Sequence, residues 1–489
     1  PTVQGILAAR IDRLAPDEKA LLQQLAVIGR EFPLSLVRHV IAQPEDELYR
    51  LLASLQHKEF LYEQPAFPEV EYIFKHALTQ EVAYGSVLHE RRKVLHEQTG
   101  QAIEALYSTN LDEHYSELAH HYQRSGNTEK AIEYLQKAGQ QAVQRSANEE
   151  AISQLKTALT LIETLPATPE RAQQELTLQL TLGPALMFTQ GYGAPEVGLT
   201  YDRARALCLQ INESPQLFQA LRGLFQFSIV RGELRKAREL GEQLLVLAQH
   251  AQDPIFLVSA HMGLGGTLFR FGEWELSQTH LNQALALDDG LHHHAHTFLS
   301  GQNPRVGCLS LMAWILWFLG YPDQSLKAAE EALTTAYELG HSFTLAFALQ
   351  FGALFHVARH ENDIARLRID AGLALCQEHG FSYSLAVTTI LQGADWVRQK
   401  RGKEGIARMR EGQAAQHATG GRALQVFYWG LLAEAYGSTE QYEEGLLILE
   451  EAFEFGRETE ERWYEAELYR LKGELLLQQE NQKAKVKND

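Results

Sequence analysis

Apolar and small residues recur at helical spacing along nearly the whole chain, and from about Pro169 to Glu480 the pattern itself repeats. A short residue follows a turn at Val197, Ala237, Ser277, Ser325, Ala365, Gly405 and Gly445, at successive intervals of 40, 40, 48, 40, 40 and 40 residues. A second small-residue column stands twelve positions earlier, at Gly265, Ala313, Ala353, Gly393, Ala433 and, past the end, Gly473. A third stands seven positions later, at Ala284, Ala332, Gly372, Gly412 and Ala452. Small residues twelve apart on consecutive helices let two backbones approach, and the third column lets the next pair stack. The pattern therefore predicts a row of helical hairpins in which each contacts only its neighbours. The one long interval places eight extra residues between Asp288 and Pro304.

Residues 1–100 do not follow this period. Thr2 to Leu14 reads as a helix. Pro16 and Asp17 start another, running to Ile28 through Leu21, Leu22, Leu25 and Ala26. Pro33 precedes a short helix, Leu34 to Ile41. Pro44 with Glu45, Asp46 and Glu47 makes a favourable first turn for a helix to His57, because acidic groups suit a helix N-terminus. Two strands follow, Glu59 to Gln64 and Val70 to Phe74, with Pro65 and Pro68 in the turn between them. Three helices and a β-hairpin describe a winged-helix-like unit. The helix before the hairpin begins with three acids, which phosphate would repel, so the reading excludes nucleic acid as its partner.

The spacing of small residues at positions 8, 20 and 27 resembles the tetratricopeptide repeat, whose usual period is about 34 residues. A period of 40 implies longer helices. Tyr115, Leu118, Ala119, Tyr122, Ala131, Leu135 and Ala138 fit the same motif around a Gly126-Asn127 turn, and Asn148 to Leu165 continues it. Pro166 to Pro169 breaks the array. The expected organisation is mainly α: a winged-helix-like domain over 1–110, short repeat helices over 111–166, an α-α superhelical array over 167–480 and a polar tail over 481–489.

Composition narrows the function. The formal charge is −18, which argues against sequence-independent nucleic-acid binding. Cys208, Cys308 and Cys376 fall inside expected helices without metal or redox spacing and read as buried thiols of a cytoplasmic protein. No apolar run suits a membrane span. His292, His293, His294 and His296 cluster in the inserted connection. A contiguous run in a loop specifies no coordination geometry, so it reads as solvated and no metal is expected. Arg91, Arg92 and Lys93 form a short basic run that reads as a solvated face. No Gly-x-x-x-x-Gly-Lys-Ser/Thr loop and no supported nucleophile–base pair is present, so no catalysis is expected of this chain.

Phe74, His76, Leu78, Glu81, Ala83 and Tyr84 match Phe-x-His-x-Leu-x-x-acidic-x-Ala-Tyr. With the Thr2-to-Leu14 and Val27-to-Phe32 segments, this motif resembles the signal-transduction ATPases with numerous domains. In that class a nucleotide-binding domain precedes a winged helix and a superhelical sensor. Lys75 and Ala77 replace the Met and Asp that flank this His in other members. The Gln190-to-Ala194, Leu319-to-Gln324 and Glu461-to-Leu477 segments resemble a bacterial subgroup whose N-terminal part is an AAA-type ATPase, often preceded by a class III nucleotide cyclase domain. The resemblance implies that His76 senses the nucleotide, with ATP or ADP held by an ATPase domain upstream in cis. It also implies a protein or small-molecule ligand on the superhelix. In such an array the first helix of each hairpin lines the concave wall, which here would carry Arg222, Gln226, Met262, Arg270, Trp314, Trp317, Gln350 and Arg398. A passive protein-binding scaffold is the alternative.

Overall fold

A computed structural model describes residues 2–41, 43–64, 69–211, 214–288 and 302–488. Pro65, Pro68 and the His292–His296 cluster lie outside the described residues. The chain divides into two compact units, Pro1–Leu182 and Gly183–Asp489.

The first unit opens with helices Val3–Asp12 and Pro16–Ile28, strand β1 (Glu31–Pro33), and helices Leu34–Val40 and Glu45–His57. Strands β2 (Leu61–Gln64) and β3 (Glu71–Phe74) follow. The helix at Glu45 starts after Pro44 with its three acids in the first turn, and it buries Leu48, Leu51, Leu52 and Leu55 along one face. Tyr72 and Phe74 point inward from β3, as period-two alternation requires. The sheet order is β1-β3-β2, antiparallel throughout, with Phe32 opposite Tyr72 and Leu61 opposite Phe74. The sequence reading has no strand at β1, which is three residues long and contains a proline. Helix Val3–Asp12 buries Leu7 and Ile11, and Arg10 lies over the Phe60 ring and donates to the Lys58 carbonyl at 2.9 Å. Buried Glu18 ties this layer together. It accepts from Lys58 Nζ at 2.5 Å, Ser54 Oγ at 2.6 Å and the Ala15 amide at 3.1 Å. The Lys58 bond leads in holding its carboxyl well down, at about 2.

Helices Ala77–Gly85 and His89–Leu106 lead into the first hairpin, Tyr115–Ser125 with Thr128–Gln144. Gly126 supplies the left-handed turn (φ 87°), and the Asn127 side chain caps the next helix by accepting from the Lys130 amide. Helix Asn148–Ile162 follows.

The second unit is a stack of antiparallel hairpins of the tetratricopeptide-like kind. Well-described pairs are 254–271 with 274–287, 304–318 with 322–339, and 382–398 with 402–418. The small-residue columns sit where the helices cross. Ser277 Oγ donates to the Gly265 carbonyl at 2.6 Å and Ser325 Oγ to the Ala313 carbonyl at 2.5 Å, each a twelve-residue pair. A Cβ on Gly393 would stand 2.6 Å from the Gly405 carbonyl, so this pair requires two glycines. The third column meets the neighbouring hairpin at Gly372, where a Cβ would lie 3.4 Å from Thr388, while Gly412 packs within its own hairpin, a Cβ there lying 2.7 Å from Ile390.

The final helix is Glu465–Asn488. It starts four residues later than the sequence suggests and runs through the segment expected as a polar tail. Glu461, Arg462 and Trp463 precede it as non-helical backbone, and both Glu461 and Trp463 are buried.

Candidate functional site

The first helices of successive hairpins are apolar nearly all round. Pro304–Phe318 buries twelve of its fifteen residues, including Trp314 and Ile315. A helix buried on every side needs packing partners on its concave face too. The chain supplies them by coming back on itself within the second unit. The Val230 carbonyl accepts from the amides of Arg422 and Ala423 at 2.7 and 3.0 Å. One forty-residue period later, the Arg270 carbonyl accepts from the amides of Arg462 and Trp463 at 2.9 and 3.2 Å. The Gly191–Gly193 turn meets Thr419 and Gly420, and a Cβ on Gly193 would stand 2.5 Å from the Gly420 carbonyl. Exposed Arg235 pairs with Glu460 at 2.5 Å on the rim of this seam.

Trp463 fills the interior behind the seam. Its ring lies 5.0 Å from Phe269, 5.3 Å from Trp314 and 5.7 Å from Phe427, centroid to centroid. Its indole N–H donates to Glu461 Oε1 at 3.1 Å. Burial pushes the Glu461 carboxyl up to about 7, against the opposing pull of the Arg270 charge. Around this pair, Arg270 Nε, the Tyr428 hydroxyl, Gln416 Oε1 and Gln425 Nε2 are buried without a hydrogen-bond partner among the described residues. The interior is therefore closed and partly polar rather than an open groove.

The residues expected on the wall divide among different surroundings. Trp314, Trp317 and Arg398 converge on a cavity of about 470 Å³ beneath the last helix, whose lining also includes Tyr464, Glu434 and Arg470. Arg398 donates to the Val357 carbonyl at 2.8 Å and to Asn362 Oδ1 at 3.0 Å, and pairs with Glu434 at 3.5 Å. Trp317 is half-buried and takes the Arg359 guanidinium on its face at 4.4 Å. Arg270 belongs to the seam. Half-buried Arg222 donates to Ser259 Oγ at 3.1 Å, and burial lowers its pKa. Gln350 is buried in its helix, Gln226 is half-buried, and Met262 packs beside Gly307. Sequence reasoning missed Glu461 and Trp463, which it assigned to a capping helix. The signal available was a buried-type Trp beside an acid just before a helix start.

In the first unit His76 follows β3 and caps helix Ala77–Gly85 with its backbone carbonyl, which accepts from the Thr79 amide at 2.9 Å. The residue is exposed, and no hydrogen bond of its imidazole is found among the described residues. The three cysteines are buried. Among the described residues no group of three or more His, Cys, Asp or Glu side chains is placed to hold a metal, and no helix is long and apolar enough to cross a membrane.

No protein-family model matches the chain. A curated relative, an uncharacterized protein of Rhizobium meliloti (strain 1021), is 24% identical over 476 residues, covering 96% of this chain and 46% of its own length. The chain thus spans about half of that relative. Solved structures with similar folds include a Rap protein complexed with competence and sporulation factor, at 12% identity and TM-score 0.44, covering 71% of this chain and 99% of that one. Another is a signal transduction ATPase with numerous domains from Pyrococcus horikoshii, described as having a tetratricopeptide repeat sensor. It is 13% identical with TM-score 0.37, covering 85% of this chain and 65% of that one.

Proposed function

We propose that the chain is the regulatory arm of a signal-transduction ATPase. In this reading the first unit is the winged-helix end of the ATPase module, its His76 imidazole donates to a phosphate of ADP held by an upstream domain, and the second unit receives a protein or small-molecule signal. The observation that carries it is His76 itself: exposed, with no hydrogen bond of its imidazole among the described residues, at the junction of a three-stranded sheet and a helix, within the motif Phe74 to Tyr84. The order helix, β1, helix, helix, β2, β3 from Pro16 to Phe74 is that of a winged helix and supports the assignment. The match to only half of a longer relative accords with a chain that works beside other domains. A cyclase output belongs to the same proposal, through the subgroup resemblance alone.

The signal must bind two states of the arm with different affinity, since a ligand of equal affinity shifts nothing. The seam offers such a pair of states, joined or parted, and the cavity at Trp314, Trp317 and Arg398 offers the receiving surface. Deleting residues 183–489 from the full-length protein tests the coupling. The expected result is a changed nucleotide turnover and loss of its response to signal. Unchanged turnover favours the second reading, a passive scaffold that binds a protein partner, which the hairpin stack supports equally.

A further inference from the structure

The first unit contains a pocket of about 310 Å³ between helices His89–Leu106 and Tyr115–Ser125, closed on one side by Tyr84. Arg92, Lys93 and His96 reach it from the first helix, and Gln123 and Arg124 from the second. In a chain with 62 acidic and 44 basic residues, no carboxylate among the described residues lines this pocket. Arg92 stacks over the Tyr84 ring at 5.0 Å, and its Nε is buried without a hydrogen-bond partner among the described residues. Arg124 Nη1 lies 3.4 Å from the His120 ring nitrogen Nε2, and no ion pair of Arg92 or Arg124 is found among the described residues. Lys93 pairs only at the rim, with exposed Glu90 at 3.1 Å.

Behind the cations, Tyr84 Oη, His96 and His121 form a buried chain, with 3.0 Å from the phenol oxygen to His96 Nε2 and 2.9 Å between the two Nδ1 atoms. Burial first, then the nearby positive charges, hold both imidazoles neutral, at about 3. The histidines therefore add no charge, and the fixed positive charge comes from Arg92, Lys93 and Arg124. Two guanidiniums with no carboxylate partner among the described residues, and an ammonium paired at the rim with exposed Glu90, form a site for an oxyanion with several acceptor oxygens. The volume is at the small end for ligand pockets.

We propose that this pocket binds a phosphoryl group carried on a small molecule, with Arg92 and Arg124 as its principal donors and Lys93 at the mouth. The site lies on the opposite side of helix Ala77–Gly85 in sequence from His76, and it is tested on the chain alone, without any upstream domain.

The probe is inorganic pyrophosphate, titrated calorimetrically into the whole chain at moderate salt. Saturable binding to one site is expected, weakened at least tenfold by Arg92→Gln and by Arg124→Gln, and unchanged by Arg145→Gln, an exposed arginine elsewhere in the unit. Circular dichroism checks that each variant is folded. Should either core arginine prove essential for folding, Lys93→Gln at the rim still reads the site through a severalfold loss. ADP binding more tightly than pyrophosphate identifies a nucleotide as the carrier, and weaker binding identifies a smaller phosphoester. Absence of saturable binding, or equal affinity in all variants, overturns the proposal.

Discussion

The carbonyl of Arg270 accepts a hydrogen bond from the amide of Arg462 at 2.9 Å, joining a hairpin turn to the start of the last helix. The bond from Arg422 to Val230 is its copy one repeat earlier. A contact that recurs with the repeat period follows from the constant rotation per hairpin, since residues forty apart occupy equivalent places in the stack. At the neighbouring turn Gly193 and Gly420 approach backbone to backbone. Gly193→Ala forces a Cβ to 2.5 Å from the Gly420 carbonyl. Overpacking of this kind costs about 1–3 kcal/mol, and a fall in the urea midpoint of the chain measures it.

Two glycines of one sequence column behave oppositely. Gly393 faces Gly405 and Met409, whereas nothing lies within 4 Å of a Cβ on Gly473. Gly393→Ala is expected to destabilise the protein. Gly473→Ala in the exposed part of the last helix is expected to stabilise it by about 0.5–1 kcal/mol, the helix-propensity difference. Thermal midpoints moving in the same direction for both would contradict the crossing geometry.

That contrast shows what the sequence makes legible. The hairpins are readable because each crossing needs a small residue at a fixed height, and Ser277, Ser325 and Gly405 meet that need locally. Strand β3 is readable from the alternation of Val70, Tyr72 and Phe74. The seam is not readable, because it depends on a rotation accumulated over many hairpins. Arg270 and Trp314 were expected on an open wall for that reason. The inward direction follows from helical periodicity, but whether the wall meets water depends on the closure.

Closure places Glu461 where its charge is costly. Its carboxyl stands at about 7 in the folded protein, against an ordinary value of 4.5. Between these values the folded chain binds more protons than the unfolded one. The stabilisation by the protonated form is therefore complete below pH 4.5 and is lost as pH rises through 7. Glu461→Gln removes this dependence. Relative to the native protein, the variant should gain stability between pH 5 and pH 8, by roughly 3 kcal/mol at the upper end. Denaturation at the two pH values checks it, and parallel behaviour of both proteins would refute the assignment.

Trp314 and Trp317 are one turn apart, yet their substitution should read differently. Trp314 is buried against Phe355, Phe427 and Trp463. Trp314→Ala is expected to cost about 3–5 kcal/mol. Trp317 is half-buried at the cavity and holds Arg359. Trp317→Ala is expected to cost clearly less, about 1–2 kcal/mol, which leaves it usable as a probe of ligand binding. Chemical denaturation of the two variants separates these roles.

The proposed coupling depends most directly on His76. The decisive measurement is the amount of ADP that remains bound to the full-length protein after purification and dilution, compared between the native form and His76→Ala. Faster ADP release by the variant, with the fold of the arm intact, is the predicted result. Equal retention, or no bound nucleotide in either protein, would contradict the account and leave a repeat scaffold on a small helical and three-stranded base.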